Sequence, residues 1–261
     1  MADKMAMIEE EKEQKAPRSQ TLLRGLDIID AVAGRPRTIQ EIAAITGLTY
    51  STVHRIVSVL LEQRYLKAEN PREFGLGPRL IELGFIAYSR IDLVQVARPH
   101  LEALSAFTGD TVHLARREGW EVVYLDKLPG TRPVEISSRV GGRKPLISTG
   151  VGKALMLDTP EGELRELFKR DHRLLPGNMT EADWLVQMSN YRAGGYTYDL
   201  GEDHPSIRCV AAPVRDATGR VAAAISVSST LEFMPPSRMR DLVQEVQRVA
   251  RIISSELGGR S

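Results

Sequence analysis

The sequence contains a single cysteine, Cys209, among its 261 residues, and only 5% of the residues are aromatic. One cysteine excludes a disulfide framework within the chain and a cysteine-rich zinc site, and it fits the reducing cytoplasm. The sequence also has no apolar run long enough to span a membrane, and its mixed-charge N-terminus lacks the apolar region of a signal peptide. The formal net charge is only +1. Because proteins that coat nucleic acids are strongly basic, any DNA contact here must be local.

The composition is that of a folded protein, since 42% of the residues are hydrophobic and 26% are charged. A chain of this length forms one large domain or two of ordinary size. Residues 1–18 carry many charges and have little to bury, so we expect a flexible tail there. The patterns described next place domains at residues 19–77 and 92–261, joined by a linker helix over residues 78–91.

In the N-terminal part, apolar residues recur at helical spacing in three consecutive segments. Residues 21–33 predict a first helix that buries Leu22, Leu23, Leu26, Ile29 and Val32. Thr38 and Glu41 have the spacing of a capping box for a second helix, and Thr49 is the predicted N-cap of a third helix over residues 50–63. The predicted buried face of this third helix consists of Val53, Ile56, Val57, Leu60 and Leu61.

Two segments of alternating pattern follow, residues 65–68 and 73–76, on either side of the turn-rich sequence ENPR. This arrangement predicts a β-hairpin. Three helices and a hairpin form a winged helix-turn-helix, in which the third helix enters the major groove of DNA. Residues 78–90 then predict a helix that leads out of this domain.

The face of the third helix that is not needed for the core carries hydroxyl and basic groups, which suit phosphates and base edges. Arg55 can bind guanine or a phosphate through its guanidinium, and basic residues elsewhere in the domain offer further phosphate contacts. The predicted DNA-binding residues are Arg24, Thr38, Thr49, Tyr50, Ser51, Thr52, His54, Arg55, Lys67 and Arg72. The same pattern also fits a small helical domain that contacts other proteins and carries ordinary solvated charges.

From residue 92 onward the pattern changes to strands that alternate with helices. Helices are predicted over residues 93–107 and from Val151, Pro160 and Thr180, and strands at residues 111–117, 121–128, 133–140, 207–215 and 221–229. A long C-terminal helix has an apolar stripe formed by Met239, Leu242, Val243, Val246, Val249, Ala250, Ile253 and Leu257. This order predicts an antiparallel sheet covered by helices. The expected fold class is α+β, with a winged helix-turn-helix joined to an α/β sensor domain similar to GAF and PAS domains.

Several short motifs occur in both halves of the chain. The N-terminal half has IA at residues 42–43, TGL at 46–48, STVHR at 51–55, and LG at 76–77 and 83–84. The C-terminal half has KPL at residues 144–146, STGVGKAL at 148–155, GY at 195–196 with Asp199, RCVAAPV at 208–214, and VAAAISVS at 221–228. Over about residues 19–259 the chain therefore resembles the IclR family of bacterial transcriptional regulators.

The resemblance implies a homodimer or a dimer of dimers that binds double-stranded operator DNA, as a repressor of a catabolic operon. Activators also occur among members of the family, so activation is the alternative. It also implies that the C-terminal domain binds a small effector, a carboxylic, keto, sugar or aromatic acid. The effector-binding positions that it assigns are Gly150, Val151, Asp199, Cys209, Ser226 and Ser228. Free amides at the predicted helix start would favour a carboxylate near Gly150, and Asp199 would accept a ligand hydroxyl.

Each of these positions also has an interpretation without a ligand. Gly150 and Val151 can form a tight turn, and Cys209 can be a small buried side chain. The two serines can satisfy backbone groups, and Asp199 can cap a turn. The glycine motif is not a phosphate-binding P-loop, because Ile147 stands where the first glycine is required and Ala154 replaces the magnesium-binding hydroxyl.

A catalytic interpretation would use Cys209 as the nucleophile, His204 as the base and Asp199 to orient the base. Cys209 lies in an apolar predicted strand with no helix N-terminus beside it to lower the thiol pKa. We therefore expect no catalytic residue. Metal binding through His113, His204 or Cys209 is the remaining alternative, but lone histidines are usually structural or solvated, so we expect no metal and no cofactor.

Two positions depart from the family pattern. Arg64 stands where glycine is usual before the aromatic residue at the start of the wing, and Gly75 stands where a bulkier residue is common. The first change alters the entry of the wing or adds a phosphate contact, and the second is expected to loosen its return strand.

Overall fold

The computed structural model describes residues 19–133 and 135–259. The predicted flexible tail at residues 1–18 lies outside the described residues. The chain divides into two compact units, one ending at Arg90 and the other beginning at Ile91. Each unit has its own hydrophobic core.

The N-terminal unit combines helices with a small sheet. Its elements are α1 (Gln20–Ala31), β1 (Arg37–Thr38), α2 (Ile39–Thr46), α3 (Tyr50–Glu62), β2 (Leu66–Ala68), β3 (Glu73–Leu76) and α4 (Pro78–Ser89). The predicted capping box is confirmed, since the Glu41 amide donates to Thr38 Oγ1 at 3.3 Å and the Thr38 amide donates to the Glu41 carboxylate at 2.8 Å. The predicted hairpin is β2–β3, and β1 pairs with β3 to give the antiparallel order β1-β3-β2.

The burial of α3 follows the sequence prediction. Val53, Ile56 and Val57 are buried, and Leu60 and Leu61 are partly buried against the same core. The Thr49 hydroxyl caps the helix by accepting a hydrogen bond from the Thr52 amide at 3.4 Å. The opposite side of the helix is therefore available to solvent.

The buried stripe predicted for α1 is largely wrong. Ile28, Ala31 and Val32 enter the core, whereas Leu22 and Leu26 remain 62% and 49% exposed. Leu23 is also exposed and Ile29 is half-buried. Because α1 is apolar on two sides, its spacing alone does not indicate which side faces α2 and α3.

The wing forms despite the two departures from the family pattern. Arg64 has a φ of 63°, a left-handed conformation that favours glycine, and among the described residues it is the one non-glycine residue with positive φ. Its guanidinium pairs with Glu82 of α4 at 2.6 Å. Gly75 pairs in regular register with Lys67, and the Glu69 side chain occupies the space where a β-carbon of residue 75 would lie. Arg64 thus takes the backbone conformation that glycine normally supplies at this turn.

Among the described residues, no single helix is long and apolar enough to cross a bilayer. Helices α2 and α3 pass the same length and composition test only as a pair, and the chain bends by 112° between them.

The C-terminal unit is an antiparallel sheet with helices. Its elements are α5 (Leu93–Thr108), β4 (Thr111–Glu118), β5 (Glu121–Leu128), β6 (Arg143–Pro145), α6 (Gly150–Leu155), α7 (Glu161–Asp171), a 3-10 turn (His172–Leu174), α8 (Glu181–Gly194), β7 (Thr197–Asp199), β8 (Ile207–Arg215), β9 (Val221–Thr230) and α9 (Pro236–Glu256). The six strands pair in the order β6-β5-β4-β9-β8-β7. The predicted antiparallel sheet is confirmed.

Helices cover both faces of this sheet because its strands are apolar on both sides. One face packs against α5 and α9 through alternate residues such as Val112, Val210 and Ile225. The predicted stripe of α9 is buried here, with Val243 partly buried. The other face packs against α6, α7 and α8 through residues such as Ala211 and Ala224. This second face carries the cavity described below.

The strand predicted at residues 133–140 is wrong. Its described residues form an irregular loop, and β6 forms farther along the chain. The carbonyls of Ile136 and Ser138 accept hydrogen bonds from Lys127 Nζ at 2.5 and 2.8 Å instead of from a neighbouring strand. Alternation of apolar and polar residues is thus present without a partner strand to pair with.

Candidate functional site

The exposed face of α3 carries the residues predicted to contact DNA. Tyr50, Ser51, His54 and Arg55 are exposed, and Thr52 is half-buried. The rings of Tyr50 and His54 stack at 6.3 Å. These groups begin at the N-terminal end of α3, the end that enters the major groove in helix-turn-helix proteins.

Hydroxyl groups cluster at the start of α3. Thr49 Oγ1 lies 2.9 Å from Thr52 Oγ1 and 3.3 Å from Ser51 Oγ. This cluster lies beside the first amides of the helix, which lack partners within the helix itself. Hydroxyls and helix N-terminal amides together suit a backbone phosphate.

The remaining predicted DNA contacts are less free. The Thr38 hydroxyl is engaged with Glu41 in the capping box, and Lys67 forms an ion pair with Glu69 at 3.0 Å. Arg24 is half-buried on α1, whereas Arg72 is exposed beyond β2. Of this group, Arg72 is the residue best placed to reach a phosphate.

In the C-terminal unit, strand register brings the predicted effector residues into one patch. Asp199 of β7 pairs with Cys209 of β8, and Cys209 pairs with Ser228 of β9. In the next row on the same face, Ser226 pairs with His113 of β4. Because paired residues share a face of the sheet, these five side chains form a continuous floor.

Above this floor lies a cavity of about 200 Å³. Gly150 and Val151 of α6 form one wall, the loop at residues 135–138 a second, and residues 203–207 a third. All six predicted effector residues line it: Gly150, Val151, Asp199, Cys209, Ser226 and Ser228. The cavity is small compared with the sites that hold drug-sized molecules.

Gly150 allows α6 to lie directly on the floor. A β-carbon at this position would meet Cys209 Sγ at 2.6 Å, and the Gly150 carbonyl accepts a hydrogen bond from Thr197 Oγ1 at 2.7 Å. Helix α6 is only six residues long. Few peptide units therefore add to its dipole.

Asp199 belongs to a buried group of charges. Burial, followed by the neighbouring Glu202 carboxylate, raises the pKa of Asp199 to about 7. Burial alone would also raise the pKa of Glu202, but the Lys153 ammonium and several hydrogen bonds lower it overall. Lys153 Nζ bonds Glu202 at 2.5 Å, and Lys153 is fully buried. Glu202 is thus held as an anion, whereas Asp199 gains or loses its proton close to neutral pH.

His113 lines the cavity, although it was not among the predicted effector-binding residues. Its Nε2 lies 2.7 Å from Ser138 Oγ, and its Nδ1 lies 3.4 Å from Ser226 Oγ. Burial and the nearby Lys127 ammonium lower the pKa of His113 to about 3, so the ring is neutral. The period-two alternation of β4 placed His113 on one face with Thr111 and Ala115, but it could not show that this face lines a cavity.

The prediction that no helix N-terminus lies beside Cys209 is wrong, because α6 begins at Gly150 against the Cys209 sulfur, but the thiol is not activated. Burial, and next the negative charge of Asp199, raise the pKa of the Cys209 thiol to about 12. The thiol is therefore neutral, whereas nucleophilic cysteines are thiolates. Within residues 19–133 and 135–259, no three His, Cys, Asp or Glu side chains are arranged to hold a metal ion.

Family models match both units. Residues 21–69 match the IclR helix-turn-helix domain, and residues 85–255 match the C-terminal domain of the bacterial transcriptional regulator IclR. Together these matches cover the exposed α3 and every residue of the cavity floor.

Individual relatives are similar along nearly the whole chain. The HTH-type transcriptional regulator XynR of Escherichia coli (strain K12) is 30% identical over 249 residues, which cover 93% of this chain and 98% of XynR. The DNA-binding transcriptional repressor YiaJ of the same organism is 29% identical over 267 residues, which cover 99% of this chain and 94% of YiaJ. The crystal structure of the Agobacterium tumefaciens repressor BlcR superposes with a TM-score of 0.77 at 28% identity, covering 94% of this chain and 100% of BlcR. The chain therefore belongs to the IclR family of bacterial transcriptional regulators.

Proposed function

We propose that this protein is a repressor that binds operator DNA through α3 and changes its DNA affinity when a small organic acid occupies the cavity of the C-terminal unit. The observation that carries the proposal is the convergence of six effector positions on one cavity. These positions come from four separate elements, α6, β7, β8 and β9. Repression is supported by the names of YiaJ and BlcR, both of which are repressors.

The DNA-binding role is supported by the two faces of α3. Val53 and Ile56 fix the helix in its domain, which leaves Ser51 and Arg55 exposed. A rigid helix with a polar outer face is what major-groove recognition requires. Because operator DNA is the target, we place the protein in the cytoplasm.

Assembly as a homodimer or a dimer of dimers forms part of the proposal. Helix-turn-helix proteins commonly bind two half-sites about one helical turn apart, and this requires two copies. Leu22 and Leu26 of α1, with Val59 of α3, are large exposed apolar side chains that lie beside one groove of the N-terminal unit. Such a patch is unusual on a monomer and supports contact with a second copy.

The size and chemistry of the cavity support a compact polar ligand. Hydroxyls of serines and of Tyr124 surround it, together with carboxyl groups and Lys144. These groups suit a small carboxylic, keto, sugar or aromatic acid. Such a ligand alters DNA affinity only if it binds the DNA-competent and DNA-incompetent arrangements unequally.

The test has two stages. Selection from a random double-stranded DNA library with the full-length protein should enrich one two-fold symmetric sequence. Binding to this sequence is then measured by mobility shift with and without a panel of keto, sugar and aromatic acids. We expect at least one acid to change operator affinity.

Other outcomes would identify the rival functions. Equal binding to the selected and random DNA would favour a protein-interaction module. Chemical turnover of any acid in the panel would indicate an enzyme. Sequence-specific binding that no bound acid alters would contradict the effector part of the proposal.

A further inference from the structure

The charged groups around the cavity form pairs that leave Asp199 without a cation. Lys153 Nζ forms an ion pair with the Glu202 carboxylate at 2.5 Å, and Lys144 Nζ forms one with the Asp203 carboxylate at 3.1 Å. Across the described part of the chain, no ammonium or guanidinium group lies within hydrogen-bond distance of Asp199. Its Oδ1 instead accepts hydrogen bonds from the backbone amides of Gly201 and Glu202, at 2.8 and 2.9 Å.

The other titratable groups facing Asp199 do not supply the missing positive charge. Tyr124 and Cys209 remain neutral because burial raises the pKa of each above the physiological range. Across the cavity, His113 is also neutral, since burial lowers its pKa. Lys127 lies beside His113 and is held by the carbonyls of Ile136 and Ser138. His204, on the loop that follows β7, and Glu135, on the loop before β6, also line the cavity, and Glu135 adds a carboxyl group rather than a cation.

An acid that enters this cavity as its anion adds a negative charge next to Asp199. With Asp199 ionised, the carboxylates of the acid, Asp199, Glu202 and Asp203 would outnumber the two nearby ammonium groups, those of Lys153 and Lys144, each of which is already paired. Like charges brought together in a poorly solvated site favour protonation of one member. Asp199 is the member without a cation, so it is the one that gains the proton.

We propose that Asp199 is protonated when an organic acid is bound, and that its carboxyl group donates a hydrogen bond to the acid's anion. The proton comes from solvent, so binding takes up about one proton per acid molecule. This inference rests on the proposed function, because it assumes that the cavity binds acids. It assigns Asp199 the role of a hydrogen-bond donor that selects anions, rather than that of an anionic acceptor for hydroxyls.

Calorimetric titration of the full-length protein tests the inference, with pyruvate, D-gluconate and 4-hydroxybenzoate as probes. Heats measured in two buffers of different ionisation enthalpy, at about pH 8, give the number of protons taken up. For a probe that binds, we expect uptake of about one proton and an affinity that falls about tenfold per pH unit above about pH 7.

Asp199→Asn keeps the shape of the side chain and an oxygen for the two amides, and its NH₂ group donates as the protonated acid does. We expect this variant to take up no proton and to bind about tenfold more tightly than wild type at about pH 8. Asp203→Asn removes a carboxylate from the rim of the same cavity and should still take up the proton. His204→Gln should also take it up, which excludes the other titratable group of that loop.

Several results would overturn the inference while leaving the proposed function intact. One is a wild-type protein that binds an acid without proton uptake. Another is an Asp199→Asn variant that binds more weakly than wild type at every pH, which would make Asp199 an anionic acceptor. Loss of uptake in His204→Gln alone would assign the proton to His204.

If none of the three acids binds the wild-type protein, the proposed effector class is wrong. Should Asp199→Asn fail to fold by circular dichroism, proton uptake in wild type and His204→Gln decides the question.

Discussion

Gly150 of α6 lies directly against Cys209 of β8, since a β-carbon on residue 150 would meet the Cys209 sulfur at 2.6 Å and its β-carbon at 3.4 Å. Gly150→Ala should therefore displace α6, lower the free energy of unfolding by about 1–3 kcal/mol and weaken acid binding. Denaturant titration and thermal shift with the acid panel measure these effects.

The contact also predicts a rescue. Because Cys209→Ala removes the sulfur and leaves only ordinary 3.4 Å contacts with the Asp199 amide nitrogen and the β-carbon of residue 209, the double variant should recover much of the stability lost in Gly150→Ala. Gly162→Ala serves as the control, since a β-carbon there meets no atom within 4 Å. Equal losses for Gly150→Ala and Gly162→Ala would show that the close contact has no consequence.

His113 should make the protein less stable in mild acid. Its pKa in the folded protein is about 3, below the ordinary value of 6.5, so the unfolded chain binds the proton first as the pH falls. The stability contributed by neutral His113 is fully present above pH 6.5. It is lost progressively as the pH falls toward 3, by about 1.4 kcal/mol per pH unit. The pH dependence of unfolding should be shallower in His113→Asn over this window. An unchanged slope would mean that the folded protein accommodates a charged ring.

Arg64 predicts a contrast between two substitutions at the entry to the wing. With φ at 63°, a left-handed backbone costs an L-residue about 1–2 kcal/mol. Arg64→Gly should remain within about 1 kcal/mol of wild type, because relief of this cost offsets the greater entropy of unfolded glycine. Arg64→Val should lower the free energy of unfolding by about 1–2 kcal/mol. If valine is tolerated as well as glycine, the turn adopts another conformation.

Arg55 offers a test of the DNA-binding face. Arg55→Ala should weaken operator binding by about 1–3 kcal/mol, because a bidentate contact to guanine or a phosphate contact is lost. Arg251→Ala makes the same charge change at an exposed position of α9, in the other unit. The operator affinity of this variant should equal that of wild type. Mobility shifts with the selected operator compare the two. Unchanged binding in Arg55→Ala would exclude this side chain as a contact.

Leu26 offers a test of the proposed association of two copies. Leu26→Glu places a charge in the apolar patch of α1, where the side chain is already 49% exposed, so the N-terminal unit should still fold. We expect weaker operator binding, because a charge buried between copies is costly. Glu102→Gln, at an exposed position of α5, is the control and should bind the operator as wild type does. Normal operator affinity in Leu26→Glu would place the interface elsewhere.

The local elements were largely predictable because their determinants lie close together in sequence. The Thr38 capping box, the Thr49 cap and the apolar face of α3 all depend on residues within a few positions of one another. Motifs also pointed to six residues that prove to line one cavity, although they lie on different elements. Their contact with an effector remains a prediction.

The errors arose where a pattern had more than one possible partner. Apolar and polar residues alternate over residues 133–140 as they do in a strand. The carbonyls of Ile136 and Ser138, however, accept hydrogen bonds from Lys127. Helix α1 is apolar on two sides, and spacing did not indicate that Leu22 and Leu26 stay exposed. His113 was not predicted to line the cavity, because a single histidine in a strand carries no motif.

The sequence alone determined most of the elements, the family and the polar face of α3, because helical periodicity, caps and short motifs are local properties of the chain. Tertiary structure alone decided which side of α1 is buried and how the C-terminal strands are registered. Register places Asp199 beside Cys209 and Ser226 beside His113, and folding buries Lys153 with Glu202. These relationships depend on side chains brought together from distant segments, where burial and charge determine which groups hold protons.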